Sequence, residues 1–105
     1  MQEIDVQTLA EQRRSSSPPL VLDVREPWEI GIAALNDSRH IPMRQIPERV
    51  DELPRDAPIV VLCHHGVRSR EVTRFLHQAG FDQAVNLAGG IDAWSRVVDP
   101  GMPRY

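Results

Sequence analysis

One stretch constrains this chain more than any other. Ile59-Val60-Val61-Leu62 is an unbroken apolar run, Cys63-His64-His65-Gly66-Val67-Arg68 follows it, and Ser69-Arg70-Glu71-Val72-Thr73-Arg74-Phe75 comes next. Four apolar residues in a row read as a buried strand. Six residues with an internal glycine read as a tight loop. Val72, Phe75, Leu76 and Ala79 then recur at i, i+3, i+4 and i+7, one face of a helix. Cys63, the only cysteine, therefore lies where a strand ends and a loop turns back onto a helix N-terminus. Free backbone N–H groups and a positive partial charge gather there, and both favour an anion. A thiol in that place is expected to ionise readily. Arg68 closes the loop with a permanent positive charge.

The rest of the chain reads as alternating strands and helices. Asp5 is placed to cap a first helix with Val6, Leu9 and Ala10 inward. Ser15-Ser16-Ser17-Pro18-Pro19 is a connector too short to link domains. Leu20–Val24, apolar except for Asp23, suits a strand covered on both faces. Pro27 fits the first turn of a short helix through about Ile32, which would let Arg25 and Glu29 pair. His40-Ile41-Pro42 is extended, and Pro47 opens a helix with Ile46, Val50 and Leu53 on one side. The helix after the cysteine loop ends at Gly80, with Phe81 set for the contact of a glycine cap. Ala84–Leu87 is a strand, Gly89-Gly90 a turn, and Ile91, Trp94 and Val97 or Val98 mark a last helix. Residues 99–105 form an irregular tail. This alternation predicts an α/β fold with a mainly parallel sheet. In such sheets sites form at strand carboxyl ends. Cys63, Asp23–Arg25 and the turn at Ala88–Gly90 all fall there and are expected to share one rim.

Composition closes several other routes. At 105 residues the chain accommodates one domain. A net charge of −3 gives no general field for nucleic acid. All 12 basic residues are arginine, so no lysine is present to form a Schiff base. One cysteine forms no internal disulfide and is a single ligand of the several that zinc needs. No apolar run reaches membrane-spanning length, and the first residues lack a signal-peptide pattern. A cytoplasmic protein with a reduced thiol is the expectation, with no cofactor, metal, nucleic acid or membrane partner.

The cysteine loop resembles the active-site loop of the rhodanese family of sulfurtransferases. Leu22-Asp23-Val24-Arg25-Glu26-Pro27-Trp28-Glu29 is similar to that family's N-terminal signature, and His40-Ile41-Pro42 to its His-Ile-Pro segment. Asn86-Leu87-Ala88-Gly89-Gly90-Ile91-Asp92-Ala93-Trp94 is similar to its C-terminal signature. The matches run in order from about Ile4 to Trp94, within one rhodanese-like domain spanning 1–105. The resemblance implies a central, mainly parallel five-stranded sheet flanked by helices on both faces. It also implies that the Cys63 thiolate takes the outer sulfur of a donor, thiosulfate or a persulfide, and becomes a persulfide itself. Cyanide, a thiol or a protein acceptor then removes that sulfur. This is covalent, ping-pong chemistry, with loop N–H groups around the terminal sulfur.

Each residue carries a plainer reading too. A lone cysteine at the end of an apolar strand is often core; here the glycine, arginine and helix start beside it favour a reactive thiol. Arg68 reads as an anion-binding group in preference to a surface arginine. Gly66 permits a backbone conformation that strains other residues. With Val67 and Ser69 these residues make the candidate loop site. Adjacent residues project in different directions, so His64 and His65 are expected to line the rim or support it and not to share a metal with Cys63. One of them can supply positive charge at lower pH. Asp23, Arg25 and Gly89 are candidates for the rim; Asp23 reads as structural, and Arg25 fits either role. Trp28 and Trp94 read as core anchors.

Two rival functions fit the same residues. Related cysteine phosphatases close a similar loop with arginine, but with five residues between the two; here four separate Cys63 from Arg68. That makes a smaller cradle, suited to a sulfur atom and cramped for a phosphoryl group. A non-catalytic module would carry sulfur or dock a partner; the presence of both Cys63 and Arg68 favours catalysis.

Overall fold

A computed structural model describes residues 2–105. Five strands, β1 (Glu3–Ile4), β2 (Leu20–Asp23), β3 (Arg39–His40), β4 (Ile59–Leu62) and β5 (Ala84–Leu87), form one sheet in the order β1-β5-β4-β2-β3. Every pairing is parallel. Five helices alternate with them: α1 (Val6–Arg13), α2 (Pro27–Ile30), α3 (Ile46–Arg49), α4 (Val67–Gln78) and α5 (Gly90–Val97).

The unbroken apolar runs follow from the topology. β4 lies at the sheet's centre and all four of its residues are buried. Successive side chains point to opposite faces. Ile59 and Val61 join a cluster with Leu22, Ile46, Val72, Leu76 and Phe81, under α3 and α4. Val60 and Leu62 join Val6, Leu9, Ile91 and Trp94 on the other face, under α1 and α5. Cys63 continues the Ile59–Val61 side of the alternation. A strand covered on both faces has no position where a polar residue would meet water. Each fully buried aliphatic side chain here contributes roughly 1.5–3 kcal/mol.

Local signals set the ends of the elements. Asp5 caps α1 by accepting from the Thr8 N–H at 2.8 Å. Gly80, at φ 96°, stops α4: its N–H donates to His77 O at 3.1 Å, the Phe81 N–H donates to Leu76 O at 2.9 Å, and Phe81 is buried. Those two bonds satisfy carbonyls that the helix end would otherwise leave open.

Four local expectations are corrected. α2 stops at Ile30 and makes barely one turn. Trp28 is no core anchor: it is 64% exposed, because a one-turn helix has one inward position and Glu29 takes it. Arg25 and Glu29 do not pair through their side-chain charges. Arg25 turns to Asp23 and Glu29 to Arg68. The segment around Pro47 is α3 flanked by two 3-10 turns, Met43–Gln45 and Val50–Glu52, although Ile46 and Leu53 are buried together as expected. Of the two valines left open at the end of α5, Val98, the C-cap residue, packs inward and Val97 faces solvent.

Candidate active site

The carboxyl ends of β2, β4 and β5 meet at one rim. The Val24 N–H donates to Leu62 O at 3.0 Å, and the Ile91 and Asp92 N–H groups donate to Cys63 O and His64 O at 2.9 and 3.0 Å. Gly90, at φ 58°, sits against that loop, where a Cβ would lie 2.5 Å from the Cys63 and His64 carbonyl oxygens. The cysteine loop and the start of α5 are therefore locked together through their backbones.

Cys63 is 1% exposed and free. Its Sγ accepts from the Gly66 N–H at 3.1 Å and lies 3.2 Å from Ser69 Oγ. Gly66 turns its N–H onto the sulfur at φ 101°, a left-handed conformation that disfavours any side chain. α4 starts at the next residue, so its N-terminus faces the sulfur's side of the loop. Ser69 is wholly buried and donates its hydroxyl to Asn86 Oδ1. Val67 points outward and is 65% exposed.

Arg68 is held by a carboxylate. Its Nη1 and Nη2 donate to Glu29 Oε2 and Oε1 at 2.7 and 2.8 Å. Glu29 also accepts from the Glu26 N–H at 2.8 Å and from the Tyr105 hydroxyl at 2.7 Å. The Arg68 guanidinium, opposed by burial and helped by the Glu26 N–H and the Tyr105 hydroxyl, holds the Glu29 carboxyl down at about 2. The pair raises Arg68 in turn, so its positive charge is permanent.

Asp23 and Arg25 are fully buried and bound to each other. Arg25 Nε donates to Asp23 Oδ1 at 3.0 Å and Nη2 to Oδ2 at 2.8 Å. Nη2 also reaches Ala33 O, and Nη1 reaches the Tyr105 hydroxyl at 2.9 Å. These bonds tie the β2 end to the chain after α2, and neither side chain is open to solvent. Gly89 is the N-cap of α5.

The two histidines stand closer than adjacency suggests. Their ring centroids are 3.9 Å apart at 32°, because the loop curls at Gly66. With Asp92 they place ligand-type atoms within 4.8 Å of one another. The Asp92 carboxylate is already answered by Arg96 at 3.0 Å and Arg104 at 3.5 Å. Burial and the neighbouring His65 pull His64 below the ordinary imidazole range, so at neutral pH it is uncharged.

Sequence reasoning missed Tyr105. The irregular tail folds back, and the Tyr105 ring stacks on His64 at 3.9 Å and 11°. Trp28 meets the same ring edge-on at 5.8 Å. Burial, offset in part by Arg25, pushes the Tyr105 hydroxyl up to about 12, so it stays protonated and donates to Glu29. In the sequence Asn86 is only part of a signature, and Glu29 only a partner for Arg25. No periodicity marks either one, because both act through contacts distant in sequence.

The fold and this rim define a class. Residues 5–97 match the rhodanese-like domain, and the chain belongs to that family. It is 37% identical over 94 residues to a sulfurtransferase of Allochromatium vinosum, covering 90% of this chain and 88% of that one. It is 33% identical to YtwF of Bacillus subtilis, covering 95% and 96%. The crystal structure of a rhodanese-like domain protein from Staphylococcus aureus superposes with a TM-score of 0.88 at 30% identity, covering 100% of this chain and 99% of that one. Among the described residues no helix is long and apolar enough to cross a membrane.

Proposed function

We propose that this chain is a sulfurtransferase that moves a sulfane sulfur from a small donor, such as thiosulfate or a persulfide, to a thiol, cyanide or protein acceptor. The observation that carries the reading is the Gly66 N–H aimed at Cys63 Sγ from 3.1 Å, inside a loop with only four residues between Cys63 and Arg68. Membership of the rhodanese-like family supports it.

The chemistry has two steps. The Cys63 thiolate attacks the outer sulfur of thiosulfate; the S–S bond of the donor breaks, and sulfite leaves with the electron pair. The acceptor then attacks the outer sulfur of the Cys63 persulfide, and the Cys63 thiolate leaves. The terminal sulfur carries negative charge between the steps, where loop N–H groups and the α4 N-terminus favour it. Arg68 adds fixed positive charge beside the loop and meets the anionic donor. A cytoplasmic setting suits a catalytic thiol that must stay reduced.

Loading the protein with thiosulfate and weighing it intact tests the reading. One added sulfur, released by reductant, is expected in the native chain and none in Cys63→Ser. Serine is nearly isosteric, and its hydroxyl is a far poorer nucleophile at neutral pH. Thiosulfate:cyanide activity surviving in Cys63→Ser would overturn the assignment.

A further inference from the structure

Asn86 lies on β5 and is wholly buried. Its Nδ2 donates to Glu3 Oε2 at 2.7 Å and to Gly66 O at 3.2 Å. Both partners are acceptors only. A flipped amide would set its carbonyl oxygen against two other oxygens, so the orientation is fixed by chemistry. Oδ1 must then face the Ser69 hydroxyl, which donates to it. A serine hydroxyl has one proton. Committed to Asn86, that proton is not offered to Cys63 Sγ, 3.2 Å away. In the thiol form, the Cys63 S–H donates to Ser69 Oγ. On ionisation its proton leaves to solvent, and the sulfur faces the lone pairs of Ser69. If Ser69 turned its proton to the sulfur, Asn86 Oδ1 would be left buried without a donor, which is costly.

We propose that Asn86 is a positioning residue for the reactive sulfur. One amide controls both groups that touch Cys63 Sγ. Through Nδ2 it holds the Gly66 carbonyl, and so the peptide segment whose N–H donates to the sulfur. Through Oδ1 it withholds the Ser69 proton. Glu3 anchors the far end of the amide and is itself met by Arg70 at 3.5 Å. β1, β5, the loop and α4 are thereby coupled at the thiol. The consequence for turnover rests on the sulfurtransferase reading, but the test reads the thiol directly, so the two can fail separately.

The test is the rate at which iodoacetamide alkylates Cys63 at neutral pH, which follows the thiolate fraction. Four proteins are compared: native, Ser69→Ala, Asn86→Leu and the double variant, each checked for fold by circular dichroism. Arg68 and Arg70 of α4, Glu3 of β1, Glu29 of α2, Asp92 of α5 and His64 of the loop are present in all four. In the native background, Ser69→Ala is expected to leave the rate unchanged or raise it, since the hydroxyl gives the thiolate no proton. Asn86→Leu frees that proton, and there Ser69→Ala is expected to slow alkylation by about tenfold, the loss of one charge-assisted bond. This dependence of the Ser69→Ala effect on the residue at position 86 is the signature of the proposal. A tenfold slowing by Ser69→Ala in the native background would overturn it, because Ser69 would then already be donating to the sulfur. That arm decides the question even if Asn86→Leu does not fold. The same effect of Ser69→Ala in both backgrounds would also overturn it. Because no sulfur donor is used, the result stands whether or not the protein transfers sulfur.

Discussion

Glu29 and Arg68 are 39 residues apart in sequence and joined side by side by two hydrogen bonds of 2.7 and 2.8 Å. The carboxylate is nearly sealed from solvent, while the guanidinium is 34% exposed. The charge that closes the cysteine loop is therefore held from behind by α2 and offered on one side to the rim.

Acid should weaken the fold through Glu29. Its carboxyl falls from an ordinary 4.5 to about 2 in the folded chain. The stabilisation is complete above the unfolded value and is lost as pH drops from about 4.5 toward about 2. With the partner arginine partly in water, the contribution is discounted to about 2 kcal/mol. Urea melts across that range should show native stability falling more steeply than that of Glu29→Gln. Parallel curves would mean that the pair contributes nothing measurable.

Arg68→Ala is expected to have two separable effects. It leaves a buried carboxylate without its cation, and breaking such a pair costs about 3–5 kcal/mol when both members are buried, less here. It also removes the charge proposed to meet the donor, which on that reading adds about 1.5–3 kcal/mol to the barrier to persulfide formation. The double variant Arg68→Ala with Glu29→Gln should regain most of the melting temperature and none of the loading rate. If loading recovered as well, Arg68 would serve the fold alone.

How much of this was legible depended on the distance over which each signal acts. The parallel α/β sheet was readable because β4 and β2 needed only their own apolar runs to declare burial on both faces. Cys63 and Gly66 stood out because strand, loop and helix start lie within one short stretch. Trp28 misled because size and hydrophobicity do not say which way a one-turn helix faces. The close approach of the two histidine rings was not legible, because adjacency predicts divergence only where the backbone is regular, and the turn at Gly66 is not. Tyr105 was beyond reading: its partners Arg25 and Glu29 are 80 and 76 residues away, and the Pro-Gly-rich tail around it carries no pattern.

Tyr105→Phe keeps the ring on His64 and removes the bonds to Arg25 and Glu29. Loss of these bonds should cost about 1–3 kcal/mol, because the buried groups lose a partner. Tyr105→Ala also removes the stack on His64, and His64 should then titrate closer to the ordinary imidazole range as water reaches it. Proton NMR of His64 across pH 5 to 8 reads this directly. An unchanged titration in Tyr105→Ala would show that the tail does not shield the loop.

Loop length tests the proposal that the loop takes a sulfur atom and not a phosphoryl group. An alanine inserted after Val67 adds a residue between Gly66, whose N–H touches Cys63 Sγ, and Ser69, whose hydroxyl bridges the sulfur to Asn86. One extra residue at the first turn of α4 rotates the remainder of the helix by about 100° if the helix continues. Arg68 then leaves the Glu29 carboxylate, and Asn86 Oδ1 loses the Ser69 hydroxyl that donates to it. A misplacement of about 1 Å in a reacting group can cost on the order of a hundredfold in rate. Sulfur transfer is expected to fall by at least that factor in protein that circular dichroism and its melting temperature show to be folded. Weak phosphatase activity is not expected from the widened loop. Glu29, the carboxyl paired with Arg68, is held at about 2 and keeps no proton to give. Sulfur transfer at the native rate by the folded insertion variant would remove loop length as the ground for preferring sulfur.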